Sequence, residues 1–167
     1  MIPFQMRPDE IVQEISDFNS KLAQGLNTLS EIGELEDGIS PKDAVYKEDK
    51  MVLYHYRPRV KKQNPIPLLI VYALVNRPYM ADLQEGRSMI QGLLDAAVDV
   101  YLVDWGYPDA GDAYLTLEDY INGYIDRCVD VIRDEHGLDK INILGICQGG
   151  SFSLCYTALH QEKIKNI

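Results

Sequence analysis

A six-residue segment, Gly145 to Gly150, constrains the fold of this chain more than any other part of it. It reads Gly-Ile-Cys-Gln-Gly-Gly, follows the apolar run Ile141–Leu144 and precedes a segment that can form a helix. This strand–turn–helix order is typical of the nucleophile elbow G-x-S-x-G, here with cysteine in place of serine. Gly145 and Gly149 have no Cβ, which leaves room for so tight a turn. The pattern predicts that Cys147 is a covalent acyl carrier.

Taken without its surroundings, the motif is weak, because 12 of the 167 residues are glycine. The alternative is a structural cysteine that lies between two glycines by chance. The strand before the motif and the helix after it favour the functional interpretation. Cys128 falls on the apolar stripe of its helix, and Cys155 lies about two turns beyond Cys147. We expect both of these thiols to be packing residues.

The chain alternates strands and helices from residue 67 onwards. Its strands are nearly continuous apolar runs, as expected for a parallel sheet that is covered on both faces. We therefore predict an α/β fold of the α/β-hydrolase type, with residues 1–62 as an N-terminal helical and strand segment and residues 63–167 as part of the catalytic domain. The predicted strands are Leu68–Leu74, Val100–Val103 and Ile141–Leu144, and the predicted helices between them are Ser88–Ala97 and Thr116–His136.

The N-terminal segment begins with an amphipathic pattern over residues 8–30. Its apolar stripe contains Ile11, Ile15, Phe18, Leu22, Leu26 and Leu29. Such a stripe most often packs on the helix's own domain, which is the interpretation we favour, and binding to a partner or a surface is the alternative. Residues 45–46 and 51–56 predict two strands around the charged turn 47–50.

Composition excludes several classes of function. The net charge of −10 and the pI of about 4.7 disfavour non-specific nucleic-acid binding. No apolar run approaches the ~20 residues that span a bilayer, so no transmembrane segment is predicted. The three cysteines form no metal-binding pattern, and an odd number of cysteines suits a reducing cytosol. A polyanionic substrate such as a coenzyme A thioester would need a local basic patch, for which the candidates are Arg77, Arg87, Lys61 and Lys62.

An acyl-transfer site also needs oxyanion donors, a base and an acid. The backbone N–H of Gln148 is one expected donor, and the loop 75–77 after the first buried strand is expected to supply the second. Asp104 precedes the nucleophile and is interpreted as a turn residue. The chain's three histidines do not occupy the position of a hydrolase histidine, and each is expected at the surface: His55, His136 and His160.

Four motifs together resemble the polyhydroxyalkanoate synthases. The resemblance runs from the N-terminal helix to the last residue and is closest to the short two-component class, with a PhaC catalytic subunit and a PhaE partner. The motifs occur in the family's order, so the match is more specific than the elbow alone. They are Tyr72–Met80, Val100–Gly106, Asp119–Ile121 and Gly145–Gly150.

The resemblance implies an enzyme that polymerises (R)-3-hydroxyacyl-CoA into a polyester and releases coenzyme A. It implies Cys147 as nucleophile and backbone oxyanion donors at Gln148 and Asn76. It also implies no cofactor beyond the coenzyme A of the substrate, a PhaE-type partner, an oligomer, and a cytoplasmic protein at the surface of polyester granules. The family's catalytic aspartate and histidine are expected beyond position 167, so we expect this chain to be an N-terminal portion that is inactive alone.

Two other interpretations remain open from the residues. A cysteine hydrolase of the dienelactone hydrolase type also has cysteine in its elbow, but it leaves the N-terminal helix and the loop after the first buried strand without a role. A truncated interaction module would bind a partner or a granule through residues 8–30 without catalysis. A comparison of activity on acyl-CoA and on dienelactone by the complete enzyme separates the two enzyme interpretations. The effect of Cys147→Ala on polymer formation tests the interaction module.

Overall fold

The structure, a computed structural model, describes residues 8–32 and 38–167 of the chain. The described residues form two units, 8–32 within the first and 38–167 within the second. The helices are α1 Pro8–Ile32, α2 Met89–Asp95, α3 Asp126–His136 and α4 Gln148–Leu159, and the strands are β1 Lys42–Glu48, β2 Met51–Tyr56, β3 Leu68–Val71, β4 Asp82–Gln84, β5 Arg87–Ser88, β6 Val100–Asp104, β7 Ile141–Gly145 and β8 Ile164–Asn166.

Six strands form one sheet in the order β1-β2-β6-β3-β7-β8. The neighbours β6, β3, β7 and β8 run parallel to one another, whereas the hairpin β1-β2 joins β6 antiparallel. Strand β3 lies centrally, with Leu68 paired to Val100 on one side and to Asn142 on the other. The predicted α/β fold is therefore confirmed, and the carboxyl ends of β3, β6 and β7 meet at one edge.

Both faces of this sheet are covered by apolar side chains, because residues alternate in direction along each strand. Tyr101 and Val103 of β6 pack toward the helices α3 and α4, whereas Val100 and Leu102 pack toward α2. All four side chains are fully buried. The near-continuous apolar strands of the sequence follow from burial on both faces.

The predicted helix Thr116–His136 exists, but its first part is a π-helix over Asp119–Ile125 that continues into α3. Asp119 accepts hydrogen bonds from the N–H and hydroxyl of Thr116, both at 2.7 Å, which is the arrangement of a capping box at the start of a helix. The apolar spacing of the segment predicts Leu117 on the buried stripe, but this side chain lies before the π-helix and is exposed.

Other boundaries differ by a few residues. Strand β3 ends at Val71, three residues earlier than predicted, because the chain then turns toward the loop 72–77. The predicted hairpin is confirmed as β1 and β2, and β1 begins at Lys42, three residues before the predicted strand at 45–46. The hairpin is hydrogen-bonded into the same sheet as residues 68–166, while the predicted domain boundary at residue 62 stays a prediction.

The N-terminal amphipathic helix is confirmed as α1. Its predicted apolar stripe is exposed, from 42% for Ile11 to 65% for Phe18, and the side chain of Leu29 lies outside the described residues. In the part of the chain that the structure describes, no helix is long and apolar enough to cross a membrane.

Candidate active site

Cys147 lies on the turn between β7 and α4, at the carboxyl edge of the sheet. It is the N-cap residue of α4, it is exposed, and its backbone has φ 57° and ψ −124°. A residue other than glycine rarely adopts a positive φ, and such strain is concentrated at functional sites. This conformation is that of a nucleophile elbow, which presents the side chain at the tip of a sharp turn.

The two glycines of the motif are required by close approach of the backbone. A Cβ on Gly145 would lie 2.4 Å from the Cα of Gly150, and a Cβ on Gly149 would lie 2.0 Å from the carbonyl oxygen of Val71. The same carbonyl accepts the N–H of Ile146 at 2.9 Å. The first turn of α4 therefore packs directly against the end of β3, which only glycine permits.

Gln148 connects the elbow with the loop that follows β3. Its backbone N–H is the first amide of α4 and has no acceptor within the helix. Its side-chain Oε1 accepts the backbone N–H of Leu74 at 3.2 Å. This side-chain contact was not predicted from the sequence. It places the start of α4 beside the loop 74–77, where the second oxyanion donor was expected.

Arg77 holds that loop against the end of β6. Its guanidinium donates to the carbonyl of Gly106 at 2.8 Å and to the carboxylate of Asp104 at 3.3 Å, and it stacks on the ring of Tyr107 at 3.9 Å. Asp104 also accepts the N–H of Gly106 at 3.0 Å, as expected of a turn residue. Arg77 is thus a structural clamp and not a free cation for a substrate phosphate.

The other candidate cations are also remote from the elbow or isolated. Lys61 and Lys62 are exposed in the loop before β3, at the amino edge of the sheet, and Arg87 is exposed on β5. Because the elbow follows the carboxyl end of β7, the two lysines lie at the opposite edge from Cys147. The four basic residues do not form one patch at the site.

The histidines were expected at the surface, and each is instead partly buried and has another partner. His55 Nε2 lies 2.7 Å from the carboxylate of Asp99, and the ring stacks on Tyr101. His136 Nε2 lies 2.9 Å from the Tyr101 hydroxyl. Both belong to the amino end of β6, because Asp99 immediately precedes that strand. His160 immediately follows α4, and its Nε2 lies 3.0 Å from the Asn122 side chain.

The remaining cysteines differ from one another. Cys128 is fully buried, with its thiol 3.6 Å from the sulfur of Met51, and burial raises the pKa of that thiol to about 12. It is a core residue, as predicted. Cys155 is exposed on α4, so the expectation that it packs in the core was wrong. The helix repeat places residue 155 slightly off the buried face formed by Phe152 and Tyr156.

Two family models match the chain. One, for the alpha/beta hydrolase fold, matches residues 66–167, and the other, for the N-terminus of poly-beta-hydroxybutyrate polymerase (PhaC), matches residues 9–93. Among solved structures, naproxen esterase from Bacillus subtilis is 15% identical with a TM-score of 0.50, and the match covers 78% of this chain and 43% of the esterase. This similarity concerns the fold alone.

Curated relatives named "Poly(3-hydroxyalkanoate) polymerase subunit PhaC" match the whole chain. The protein from Allochromatium vinosum is 60% identical, with 100% of this chain and 48% of the relative covered. The protein from Synechocystis sp. is 53% identical, with 100% and 45% covered. The chain therefore spans about half the length of these relatives. Together with the two family models, these matches show that the chain belongs to the poly-beta-hydroxybutyrate polymerase (PhaC) family, as its N-terminal part, within the α/β-hydrolase fold.

Proposed function

We propose that the protein carrying this chain is a polyhydroxyalkanoate synthase that polymerises (R)-3-hydroxyacyl-CoA, with Cys147 as the residue that carries the growing chain. The observation that supports the proposal most directly is the exposed Cys147 at φ 57°, on a turn that two glycines make possible. The relatives of this chain, which are named polymerases, give the reaction class.

The reaction divides into two acyl transfers. In the first, the Cys147 sulfur forms a bond to the thioester carbonyl carbon, the bond to the coenzyme A sulfur breaks, and the proton of the cysteine leaves with coenzyme A. In the second, the 3-hydroxyl of an acyl unit attacks the Cys147 thioester, forming an ester and returning the proton to the thiol. The backbone N–H groups of Gln148 and Asn76 are proposed to stabilise the oxyanion of both transition states. The proton-carrying histidine and aspartate are expected beyond position 167.

No cofactor is proposed beyond the coenzyme A that enters with the substrate. A PhaE-type partner and an oligomer belong to the same proposal, and α1 is the element that we expect to meet the partner. Its apolar stripe is exposed, and its other face is mainly acidic, with Asp9, Glu14 and Asp17 against Lys21. Association with a granule surface follows from retention of the polyester product on the enzyme.

The first experiment replaces Cys147 by alanine in the complete polymerase that carries this chain, with Cys155→Ala as the matched control. Both thiols are exposed; Cys147 precedes α4 on the elbow, whereas Cys155 lies within the helix. The two variants therefore remove the same chemical group from two different positions. We expect Cys147→Ala to lose coenzyme A release and the covalent acyl-enzyme detected by intact mass, while Cys155→Ala retains both. Polymer formation by Cys147→Ala at the unaltered rate would exclude the nucleophile and the mechanism.

A further inference from the structure

A cavity of about 110 Å³ lies at the carboxyl edge of the sheet, between the loops after β3 and β6 and the turn of the β1–β2 hairpin. Three aromatic rings form one wall, with Trp105 perpendicular to Tyr120 at 5.4 Å and tilted against Tyr124 at 6.4 Å. Met51 and Leu115 are among the apolar residues that complete it. No step of the proposed reaction so far uses this space.

Several polar groups around the cavity have partners within the protein. The indole N–H of Trp105 donates to the carbonyl of Tyr72 at 2.9 Å, and the hydroxyl of Tyr124 donates to Asp49 at 2.6 Å. The ammonium of Lys50 lies 2.8 Å from Asp109 and 2.6 Å from Asp112. Lys50 is the one basic residue among the described residues that line the cavity, and these carboxylates compensate its charge. The cavity therefore suits a neutral apolar group and not the phosphates of coenzyme A.

Two contacts connect the cavity with the elbow. Leu74 lines the cavity, and its backbone N–H donates to the side chain of Gln148, the residue after Cys147. Tyr120 also lines the cavity, and its ring stacks on Phe152 in the second turn of α4 at 6.2 Å. The cavity wall therefore includes one residue of the loop that contacts Gln148 and one ring that packs against α4.

We propose that this cavity binds a short neutral segment of the acyl chain carried on Cys147, namely the alkyl substituent and neighbouring ester atoms of one hydroxyacyl unit. A dry cavity of about 150 Å³ holds benzene, so this smaller space accommodates roughly four non-hydrogen atoms. Flat aromatic walls and apolar side chains fit such a segment. The inference rests on the proposed function, because it specifies which part of the polymerase substrate the same site binds.

Binding in the cavity can be followed by tryptophan fluorescence, because Trp105 lines the cavity and is the single tryptophan of this chain. Titration with methyl (R)-3-hydroxybutyrate, a neutral one-unit ester, is expected to change the Trp105 fluorescence in a saturable way, whereas coenzyme A at equal concentration does not. Leu115→Phe fills the cavity and is expected to weaken ester binding about tenfold or more. Leu115→Ala enlarges it and is expected to improve binding of methyl 3-hydroxyhexanoate several-fold relative to the shorter ester.

The control is Leu93→Phe, which adds the same bulk to a partly buried leucine on the α2 face of the sheet. Circular dichroism checks that each variant is folded. Leu115→Ala and Leu115→Phe are expected to change ester binding in opposite directions, so if one of them fails to fold, the other still tests the inference. Absence of a saturable ester signal, or equal effects of Leu115→Phe and Leu93→Phe, would overturn the inference. Cys147→Ala is expected to bind the ester normally, so loss of polymerisation and loss of ester binding are separate outcomes.

Discussion

Backbone packing at single residues determines where the candidate nucleophile points. Cys147 can hold φ 57° because the backbone on both sides is fixed, with Ile146 donating to Val71 and Gly150 donating to the carbonyl of Cys147 at 2.9 Å. A strained residue persists only when its surroundings hold it in place. The presentation of the thiol is therefore a property of the β3–β7–α4 contact.

Gly149→Ala tests this contact. The added Cβ would lie 2.0 Å from the carbonyl oxygen of Val71, which is backbone and cannot rotate away. We expect the free energy of unfolding to fall by more than about 3 kcal/mol, at the severe end for single substitutions. Gly92→Ala in α2 is the matched control, because an added Cβ would meet no described atom within 4 Å other than its chain neighbours and the backbone of its own helix. This substitution should be neutral or stabilising by up to about 1 kcal/mol. Chemical denaturation of both variants measures the difference.

Arg77→Lys tests the clamp on the loop 74–77, from which we expect the second oxyanion donor. Lysine keeps the charge but cannot reach Gly106 and Asp104 together while stacking on Tyr107. We expect kcat of the complete enzyme to fall about tenfold or more with a smaller change in KM, because misplacing a donor weakens transition-state binding. Steady-state kinetics with 3-hydroxybutyryl-CoA measure the split, and a selective rise in KM would instead assign Arg77 to substrate binding.

At the scale of elements, α3 and the segment before β8 are joined by a polar cluster. Lys163 donates to Asp126 at 2.7 Å and to Asp130 at 2.9 Å, and the buried Tyr156 of α4 also donates to Asp126 at 2.7 Å. Burial opposes ionisation of Asp126, but the hydrogen bonds from Lys163 and Tyr156 outweigh it and lower the pKa of its carboxyl. The cluster fixes the helices relative to the start of β8.

Lys163→Met removes the cation and leaves Asp126 with one donor. We expect a loss of about 1–3 kcal/mol of unfolding free energy at pH 7. Because the folded pKa of Asp126 lies below its unfolded value, the stabilisation is present above about pH 4 and is lost as the pH falls through the folded pKa. The difference from the unaltered protein should therefore shrink below pH 4. Chemical denaturation at several pH values measures this difference in unfolding free energy. The control is Lys165→Met, because Lys165 is exposed.

At the scale of the whole molecule, both clusters of buried apolar residues lie within residues 51–164. The described side chains of α1, by contrast, are exposed. We therefore predict that residues 38–167 expressed without the preceding segment unfold at the same midpoint as the 167-residue chain, within about 2 °C. Thermal unfolding followed by circular dichroism tests this expectation. A markedly lower midpoint would mean that α1 contributes to the core.

Much of the fold follows from local patterns in the chain. The strands β3, β6 and β7 are recognisable as apolar runs because both of their faces are buried. The elbow is recognisable because its glycine motif directly continues the apolar run of β7. The π-helix at Asp119–Ile125 is not recognisable in this way, because its apolar spacing also fits an α-helix. The surface assignment of His55 failed because its partner, Asp99, is 44 residues away in the chain.

The strand–elbow–helix segment, Cys147 as the candidate nucleophile, and the family can all be read from the amino-acid sequence, because each depends on residues that are neighbours in the chain or on motifs in order. The three-dimensional fold was needed to show that Arg77 is a clamp, that Gln148 Oε1 accepts the N–H of Leu74, and that an aromatic cavity lies beside the loop in contact with Gln148. These features join residues 29 to 74 positions apart. Contacts of that separation depend on strand order and register, which a local pattern of residue types does not specify.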